Sequence, residues 1–157
     1  MPKIKIDFFI QEVTLRIKNR REIKKCLSYL ISQEKPACFT TEVNVIFCSD
    51  DYLSELNSKY LKHDTLTDII TFDYSEKEEL KGDIFISIDR VNENAGIYSQ
   101  SKTQELIRVI IHGFLHLCGY KDKKPKEKQE MTDGEDKYIA IFEKFVKEKN
   151  AENSKVG

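Results

Sequence analysis

The amino-acid sequence predicts an α+β fold, a single domain in which a mixed four-stranded β-sheet packs against about five α-helices. The chain has 157 residues, a usual length for one domain. Four short segments show the alternation or the β-branched composition of strands, and about five others repeat apolar residues at helical spacing. Strands and helices follow one another without a repeat or a shift in composition, so we expect layers around one core.

The four predicted strands are short segments bounded by polar or turn-forming residues. They cover residues 3–9, 42–48, 68–74 and 82–88. The first two alternate as half-buried strands do, and the last two are rich in isoleucine and phenylalanine. Asp83 beside Gly82, at the start of the fourth segment, can start a strand next to the site, but a turn is favoured.

The first three predicted helices are marked by residues typical of helix N-termini. The candidate caps, in chain order, are Asn19 with Glu22 as a capping box, Ser49 or Asp50, and Asp89. The first helix should end before Pro36, since proline cannot continue a helix, and the third at about Tyr98.

The fourth predicted helix is apolar nearly all round, which is typical of a helix buried at the centre of a domain. Ser101 followed by Gln104 marks its start, and Gly119 is a natural left-handed stop. We therefore expect this helix to cross the core.

The last predicted helix opens at Pro125, a residue favoured at the first helical position. Gly134 would break or kink it. The predicted domain covers residues 1–149, and residues 150–157 are expected to form a disordered tail.

Charge and hydropathy exclude several classes of protein. Lys and Arg total 26 and Asp and Glu 27, so the net charge of −1 excludes a histone-like nucleic-acid binder but allows a local basic patch. No apolar run reaches the roughly 18 residues of a membrane span, and the N-terminal segment lacks the apolar stretch of a secretory signal. The four cysteines form no CxxC pair, which indicates reduced thiols in a cytoplasmic protein.

The fourth helix carries the strongest chemical signal. His112 and His116 stand four residues apart, so both imidazoles lie on one face and can reach one zinc ion. Gly119 lets the chain turn back, and Asp122 can supply a third ligand. Three protein ligands leave a fourth position for water, which is the arrangement of a catalytic metal site. We predict one zinc ion bound by His112, His116 and Asp122.

This segment allows two other interpretations. One histidine could be a hydrogen-bonded core residue and the other exposed, but the ligand spacing and the following carboxylate favour a metal. The pattern is also similar to the zinc-protease motif, in which a glutamate follows the first histidine. Here that position is Gly113, which leaves no general base for peptide hydrolysis. Cys118 should point away from the metal.

Several blocks of the chain resemble, in order and spacing, the motifs of the YbeY family of bacterial rRNA maturation endoribonucleases. They are the signature at 112–120, the blocks at 56–60, 64–72 and 82–87, and Met131 with Glu135 in the last helix. The resemblance covers roughly residues 42–145, and three separate blocks make it specific.

This resemblance implies a zincin-like fold, a bound zinc ion and a single-strand-specific, metal-dependent endoribonuclease. The implied role is in 16S rRNA 3′-end maturation and ribosome quality control, with rRNA, the small ribosomal subunit and ribosomal or biogenesis proteins as partners. A weakly catalytic or non-catalytic zinc-containing biogenesis factor is the alternative. A zinc metalloprotease is disfavoured by Gly113.

The chain departs from the family pattern at two positions. The family signature usually ends in Gly-Tyr-Asp-His, whose histidine is the third ligand, whereas this chain has Lys121 and Asp122 there. The family also usually has an arginine where this chain has Leu61. If that arginine contacts phosphate, other cations must replace it. The candidates for RNA or phosphate contacts are Lys62, His63, Lys121, Lys123 and Lys124.

Overall fold

The structure, a computed structural model, describes residues 2–61 and 67–156. The strands are β1 (Lys3–Gln11), β2 (Thr40–Cys48), β3 (Ile69–Asp73) and β4 (Glu79–Ser87). The helices are α1 (Arg20–Glu34), α2 (Asp50–Leu56), α3 (Ile88–Ile97), α4 (Lys102–Leu117) and α5 (Pro125–Val156). A π-helical segment, Asn57–Leu61, continues α2. The predicted α+β fold with a mixed four-stranded sheet and five helices is confirmed.

The sheet has the strand order β1-β2-β4-β3. β1, β2 and β4 run parallel, and β3 pairs antiparallel with β4 at the edge. Because side chains alternate along a strand, β2 and β4 present apolar residues to both faces. The main core lies between one face and helices α1, α3, α4 and α5, and a smaller apolar cluster lies under α2 on the other face. None of the helices among the described residues is long and apolar enough to cross a bilayer.

The prediction of a turn at Gly82 and Asp83 is wrong, because β4 begins at Glu79 and both residues lie inside it. The turn before β4 comes earlier, where Glu78 adopts a left-handed conformation with φ 64°. At Gly82 a Cβ atom would lie 2.6 Å from the Phe72 carbonyl oxygen and 2.9 Å from a Leu117 methyl group. Glycine is therefore required there by the close approach of β3 and α4.

Two of the predicted helix caps are confirmed. The Ser49 hydroxyl accepts a hydrogen bond from the Tyr52 N–H at 3.1 Å at the start of α2. Ser101 and Gln104 form the predicted capping box at the start of α4. These caps satisfy backbone N–H groups that have no partner within the helix.

The two other predicted caps are wrong. Asn19 precedes α1 in a left-handed conformation, and its side chain makes no cap; its Oδ1 instead accepts a hydrogen bond from Lys149 Nζ at 3.0 Å. Ser87, two residues before Asp89, caps α3. The Asp89 carboxylate is engaged by the Asp50 N–H at 2.9 Å, so a tertiary contact has replaced the local one.

Helix α5 runs from Pro125, as predicted, but continues through Gly134 without a break. A Cβ atom at Gly134 would lie 3.0 Å from a Leu115 methyl group and 3.2 Å from the Tyr120 ring, so this glycine admits close packing against α4 and the chain that follows it. The helix also includes residues 150–156, where the sequence predicted a disordered tail. Alanine, lysine and glutamate in that stretch are good helix formers, which extends the helix beyond its packed part.

Candidate metal centre

Helix α4 places His112 and His116 one turn apart at the edge of a cleft, with their ring centroids 4.5 Å apart. The helix then ends in a Schellman motif: the Gly119 N–H donates to the His116 carbonyl at 3.0 Å, and the Tyr120 N–H donates to the Leu115 carbonyl at 2.9 Å. Gly119 has φ 104°, a conformation that glycine adopts without strain. The predicted helix stop is thereby confirmed, and the chain turns back toward the two histidines.

This reversal brings Asp122 to the histidines. Its Oδ2 atom lies 3.3 Å from Nε2 of His112 and 3.3 Å from Nε2 of His116. The three side chains form a group whose ligand atoms all lie within 4.8 Å of one another. Ligand atoms about 2.0–2.1 Å from one zinc ion in a tetrahedral arrangement are roughly 3.3–3.4 Å apart. The observed spacing therefore fits a single small cation between the three groups.

The second nitrogen of each imidazole has its own partner. His112 Nδ1 lies 2.7 Å from Glu135 Oε2, and His116 Nδ1 lies 2.9 Å from the Tyr120 carbonyl oxygen. A carbonyl oxygen only accepts, so His116 donates through Nδ1 and directs its Nε2 atom toward Asp122. This arrangement is typical of histidines that bind metal ions, whose outer N–H group is held by a carboxylate or carbonyl.

Glu135, on α5, is itself held in place. Its side chain is buried, and its Oε1 accepts a hydrogen bond from Arg108 Nη1 at 2.9 Å. Arg108 also donates to Asp136 at 2.8 Å, so the guanidinium bridges α4 and α5. Burial opposes protonation of His112, but the hydrogen bond and negative charge of Glu135, with Asp122, raise its pKa above the ordinary value of histidine.

Sequence reasoning named Glu135 without giving it a role and missed Arg108. One signal was available: Met131, Glu135 and Tyr138 recur at helical spacing on the buried face of α5. A carboxylate on such an apolar face requires a partner, because burying an unpaired charge is costly. The identity of that partner is decided by packing between helices.

A cleft of about 710 Å³ opens beside the metal-ligating group. Its lining consists of Asn57, Thr67, Asp68, Ile69, Ile70, Thr71, Asp73, His112, His116, Asp122 and Lys123. Thr67 and Asp68, which belong to the block at 64–72, both line it. The Thr67 hydroxyl also donates to the Ile69 carbonyl at 3.0 Å, so it serves the loop as well. Burial raises the pKa of Asp68, although the nearby His112 opposes this.

The candidate phosphate contacts separate into three groups. Lys123 lines the cleft. Lys121 and Lys124 are exposed and do not line it. Lys62 and His63 lie outside the described residues. The cleft thus has one lysine at its wall within the part of the chain that the structure describes.

Cys118, which we expected to point into the core, packs there and is not part of the metal-ligating group. Burial, with the charge of Glu34, raises the pKa of its thiol to about 12. A neutral thiol is a poor metal ligand, since thiolate is the binding form. All four cysteines are free.

Fold and site together place the chain in the class of α+β proteins with a candidate hydrolytic metal site, in which a helix supplies two histidines and the following loop a carboxylate. Comparison with known proteins then identifies the family. The family model described as Endoribonuclease YbeY matches residues 6–143. The chain therefore belongs to the YbeY family, and the match begins well before the residue-42 limit of the motif resemblance.

Individual relatives agree with this assignment. Endoribonuclease YbeY of Cytophaga hutchinsonii is 47% identical over 137 residues, which cover 87% of this chain and 94% of the relative. That of Flavobacterium johnsoniae is 45% identical over 135 residues, covering 85% and 95%. The solution structure of TM1509 from Thermotoga maritima has a TM-score of 0.59 and 29% identity, covering 92% of this chain and 95% of that one.

Proposed function

We propose that this protein is a single-strand-specific, metal-dependent endoribonuclease of the cytoplasm that acts in 16S rRNA 3′-end maturation and ribosome quality control. Membership of the YbeY family carries the endoribonuclease activity, a hydrolysis of RNA phosphodiester bonds. The observation that supports metal dependence is the equal spacing of Asp122 Oδ2 from the two histidine Nε2 atoms, 3.3 Å each.

The metal would be held by His112, His116 and Asp122, and zinc is the ion we propose, since nitrogen and oxygen ligands at this spacing suit it. When bound, such an ion polarises a phosphate oxygen and makes water a stronger nucleophile at neutral pH. Asp122 replaces the histidine usual in the family, so the site carries one more negative charge. An anionic ligand makes the bound ion a weaker Lewis acid than three neutral histidines would.

The chain's own residues prepare the site in two ways. Glu135 and the Tyr120 carbonyl fix the orientation of the two imidazole rings, so neither ring would have to rotate to bind a metal ion. Lys123 places a positive charge at the cleft wall, where it can attract the RNA backbone. The cleft lies beside β3, at the edge of the sheet.

The metalloprotease alternative is disfavoured by geometry as well as by residue type. Gly113 is buried, and a Cβ atom there would lie 2.9 Å from side-chain atoms of both Ile69 and Ile84. A glutamate at this position would collide with the sheet, so position 113 does not accommodate the general base of the zinc-protease motif.

A ribosome biogenesis factor with weak or no catalysis is the second candidate. Two observations favour it: Leu61 stands where the family usually has an arginine, and Lys123 is the one lysine at the cleft wall within the described part of the chain. In that case, the metal would mainly stabilise the domain while the protein binds rRNA or the small ribosomal subunit.

Cleavage of a labelled single-stranded fragment of the 16S rRNA 3′ region distinguishes the two candidates. The zinc-loaded protein should cut the fragment, leave the same sequence intact in a duplex, and lose activity when a chelator removes the metal. The His116→Ala protein, purified in parallel, is the baseline for contaminating ribonuclease. Equal cleavage by both proteins, or none by either while the unmodified protein binds zinc and the fragment, would support the binding factor.

A further inference from the structure

Glu34, the last residue of α1, accepts hydrogen bonds from the hydroxyl groups of two tyrosines. Its Oε1 accepts a hydrogen bond from the Tyr120 hydroxyl at 2.8 Å, and its Oε2 accepts one from the Tyr138 hydroxyl at 2.5 Å. Tyr138 is fully buried, and Glu34 and Tyr120 are half-buried. One carboxylate therefore ties α1 to α5 and to the loop that follows α4.

The first of these hydrogen bonds, from Tyr120, connects Glu34 to His116. Tyr120 is the residue whose backbone carbonyl accepts from His116 Nδ1 at 2.9 Å. Its ring is held at the hydroxyl by Glu34 and at its edge by Gly134, where no side chain intervenes. Its N–H is fixed by the Leu115 carbonyl. Side chain and backbone together set the position of the carbonyl that orients His116.

The second hydrogen bond, from Tyr138, connects Glu34 to His112 through helix α5. Tyr138 lies three residues after Glu135 on α5, about one turn along the helix. Glu135 accepts from His112 Nδ1 at 2.7 Å. Anchoring Tyr138 to α1 therefore fixes the height and rotation of α5 at the point where Glu135 meets the histidine. Helix α5 packs on both α1 and α4, so this anchor joins the three helices around the site.

We propose that Glu34 is a positioning residue for the metal centre, acting on His116 through Tyr120 and on His112 through Tyr138 and Glu135. The inference rests on the metal site proposed above and adds to it a residue remote from the ligands. A carboxylate suits this role because it has only acceptor atoms, and two hydroxyl groups can donate to it at once. A glutamine would keep one acceptor oxygen and place an NH₂ donor against the other hydroxyl.

The test compares three substitutions that each remove part of this network: Glu34→Gln, Tyr120→Phe and Tyr138→Phe. Tyr29→Phe is the matched control, because it also removes one tyrosine hydroxyl near the network. The rings of Tyr29 and Tyr138 lie 6.3 Å apart between centroids. The Tyr29 hydroxyl has no hydrogen bond among the described residues. The readouts are the zinc dissociation constant from chelator competition, the visible spectrum of the cobalt(II)-substituted protein, and the melting temperature of the metal-free protein.

We expect Glu34→Gln to weaken zinc binding about tenfold, the lower end of the effect of losing a direct outer partner of a ligating histidine. Tyr120→Phe and Tyr138→Phe should each weaken it by a smaller factor, and all three should alter the cobalt(II) spectrum. Tyr29→Phe should change neither. These readouts, taken well below the melting temperature, are not moved by a residue that only stabilises the fold.

The outcomes separate this inference from the metal site itself. If the unmodified protein binds zinc and the three variants bind it equally tightly with an unchanged cobalt(II) spectrum, Glu34 has no positioning role, whatever happens to their melting temperatures. If Glu34→Gln does not fold, the two Tyr→Phe variants decide the question by the same criterion. Absence of zinc binding by the unmodified protein overturns the metal site and this inference together.

Discussion

At the scale of single residues, the metal centre depends on which atom each side chain turns inward. Glu135 and the Tyr120 carbonyl occupy the Nδ1 atoms of the two histidines, so both Nε2 atoms face Asp122. Asp122 contributes the oxygen that both nitrogens share. Its carboxylate also offsets the charge of a bound cation, and its loss would leave two ligands on one helix face.

Replacing Asp122 with alanine should therefore raise the zinc dissociation constant more than about 100-fold, beyond the effect of losing an outer partner. The rise in melting temperature on adding zinc should disappear with it, because a ligand stabilises only a native state that binds it. Titration calorimetry and thermal unfolding with and without zinc measure both quantities.

Asp122→His is the matched control, since histidine restores a third ligand. It should retain tight zinc binding, and its RNA cleavage should shift to lower pH, because the site loses one negative charge. Tight binding by Asp122→Ala would mean that Asp122 is not a ligand.

At the scale of elements, helix α4 packs closely on the sheet because glycines lie at two of the contacts between them. Gly113 of α4 lies against Ile69 and Ile84, and Gly82 of β4 lies against Phe72 and Leu117. These contacts set the distance from the histidine pair to β3, whose residues form the wall of the cleft. Side chains at either glycine would push the helix away from the strand.

Gly82→Ala should destabilise the protein by about 1–3 kcal/mol, the usual cost of overpacking a core. The obstacle is the Phe72 carbonyl oxygen at 2.6 Å, which belongs to the backbone and cannot rotate aside. Urea denaturation measures the change.

Gly96→Ala provides the contrast, because a Cβ atom at Gly96, in helix α3, would have no other atom within 4 Å. It should stabilise the protein by about 0.4–1 kcal/mol through a less flexible unfolded chain. Equal effects of the two substitutions would contradict the close approach at Gly82.

The final turns of α5 should contribute little to the domain, because residues 151–154 are exposed. A chain ending at Lys149 should keep its zinc affinity and lose no more than about 0.5 kcal/mol of stability, as for changes at an exposed surface. Thermal unfolding of the two lengths makes the comparison.

A chain ending at Glu148 should be less stable than the chain ending at Lys149. It lacks Lys149, whose Nζ lies 3.4 Å from the buried Glu22 carboxylate and donates to Asn19 at 3.0 Å. Without Lys149, the buried Glu22 carboxylate has lost its cationic partner, which lowers the stability of the folded protein. Equal stability of the two truncated chains would show that the Lys149 contacts do not fasten α5 to α1.

At the scale of the whole molecule, each of the two apolar clusters contains a buried thiol, Cys26 in the main core and Cys48 in the smaller cluster under α2. Cys26 and Cys48 are 2% and 0% exposed. Burial raises the pKa of each thiol from 9.0 to about 12. The folded protein therefore keeps these thiols neutral at a pH at which the unfolded chain ionises them.

This difference predicts the stability of the metal-free protein in alkali. The folded-state pKa is the higher one, so the contribution of each thiol is fully present below about pH 9 and is lost as the pH rises toward about 12. In that window the free energy of unfolding should fall by up to about 1.4 kcal/mol per pH unit for each thiol.

Chemical denaturation at several pH values measures this slope, and Cys26→Ala should reduce it by the contribution of one proton. The slope is the relevant quantity, because the substitution also changes the packing and hence the stability at every pH. An identical slope in Cys26→Ala would show that the Cys26 thiol ionises equally in both states.

The sequence was most informative where the structure depends on neighbours along the chain. Four strands, five helices, the capping box at Ser101 and the stop at Gly119 were predicted, since each rests on periodicity or on a cap within a few residues. The wrong expectations at Asn19, Asp89 and Gly82 have a common cause. In each case a distant contact, with Lys149, Asp50 or Phe72, determines what the residue does.

The same division applies to the candidate metal centre. The sequence by itself determined the helical pair His112 and His116 and the return of Asp122, because the pitch of a helix and one left-handed glycine fix that geometry within eleven positions. Only the tertiary structure decided what holds the imidazoles: Glu135 follows His112 by 23 residues, and Glu34 precedes Tyr120 by 86. Such partners are chosen by how α1, α4 and α5 pack together, and no local pattern in the chain encodes the distance between them.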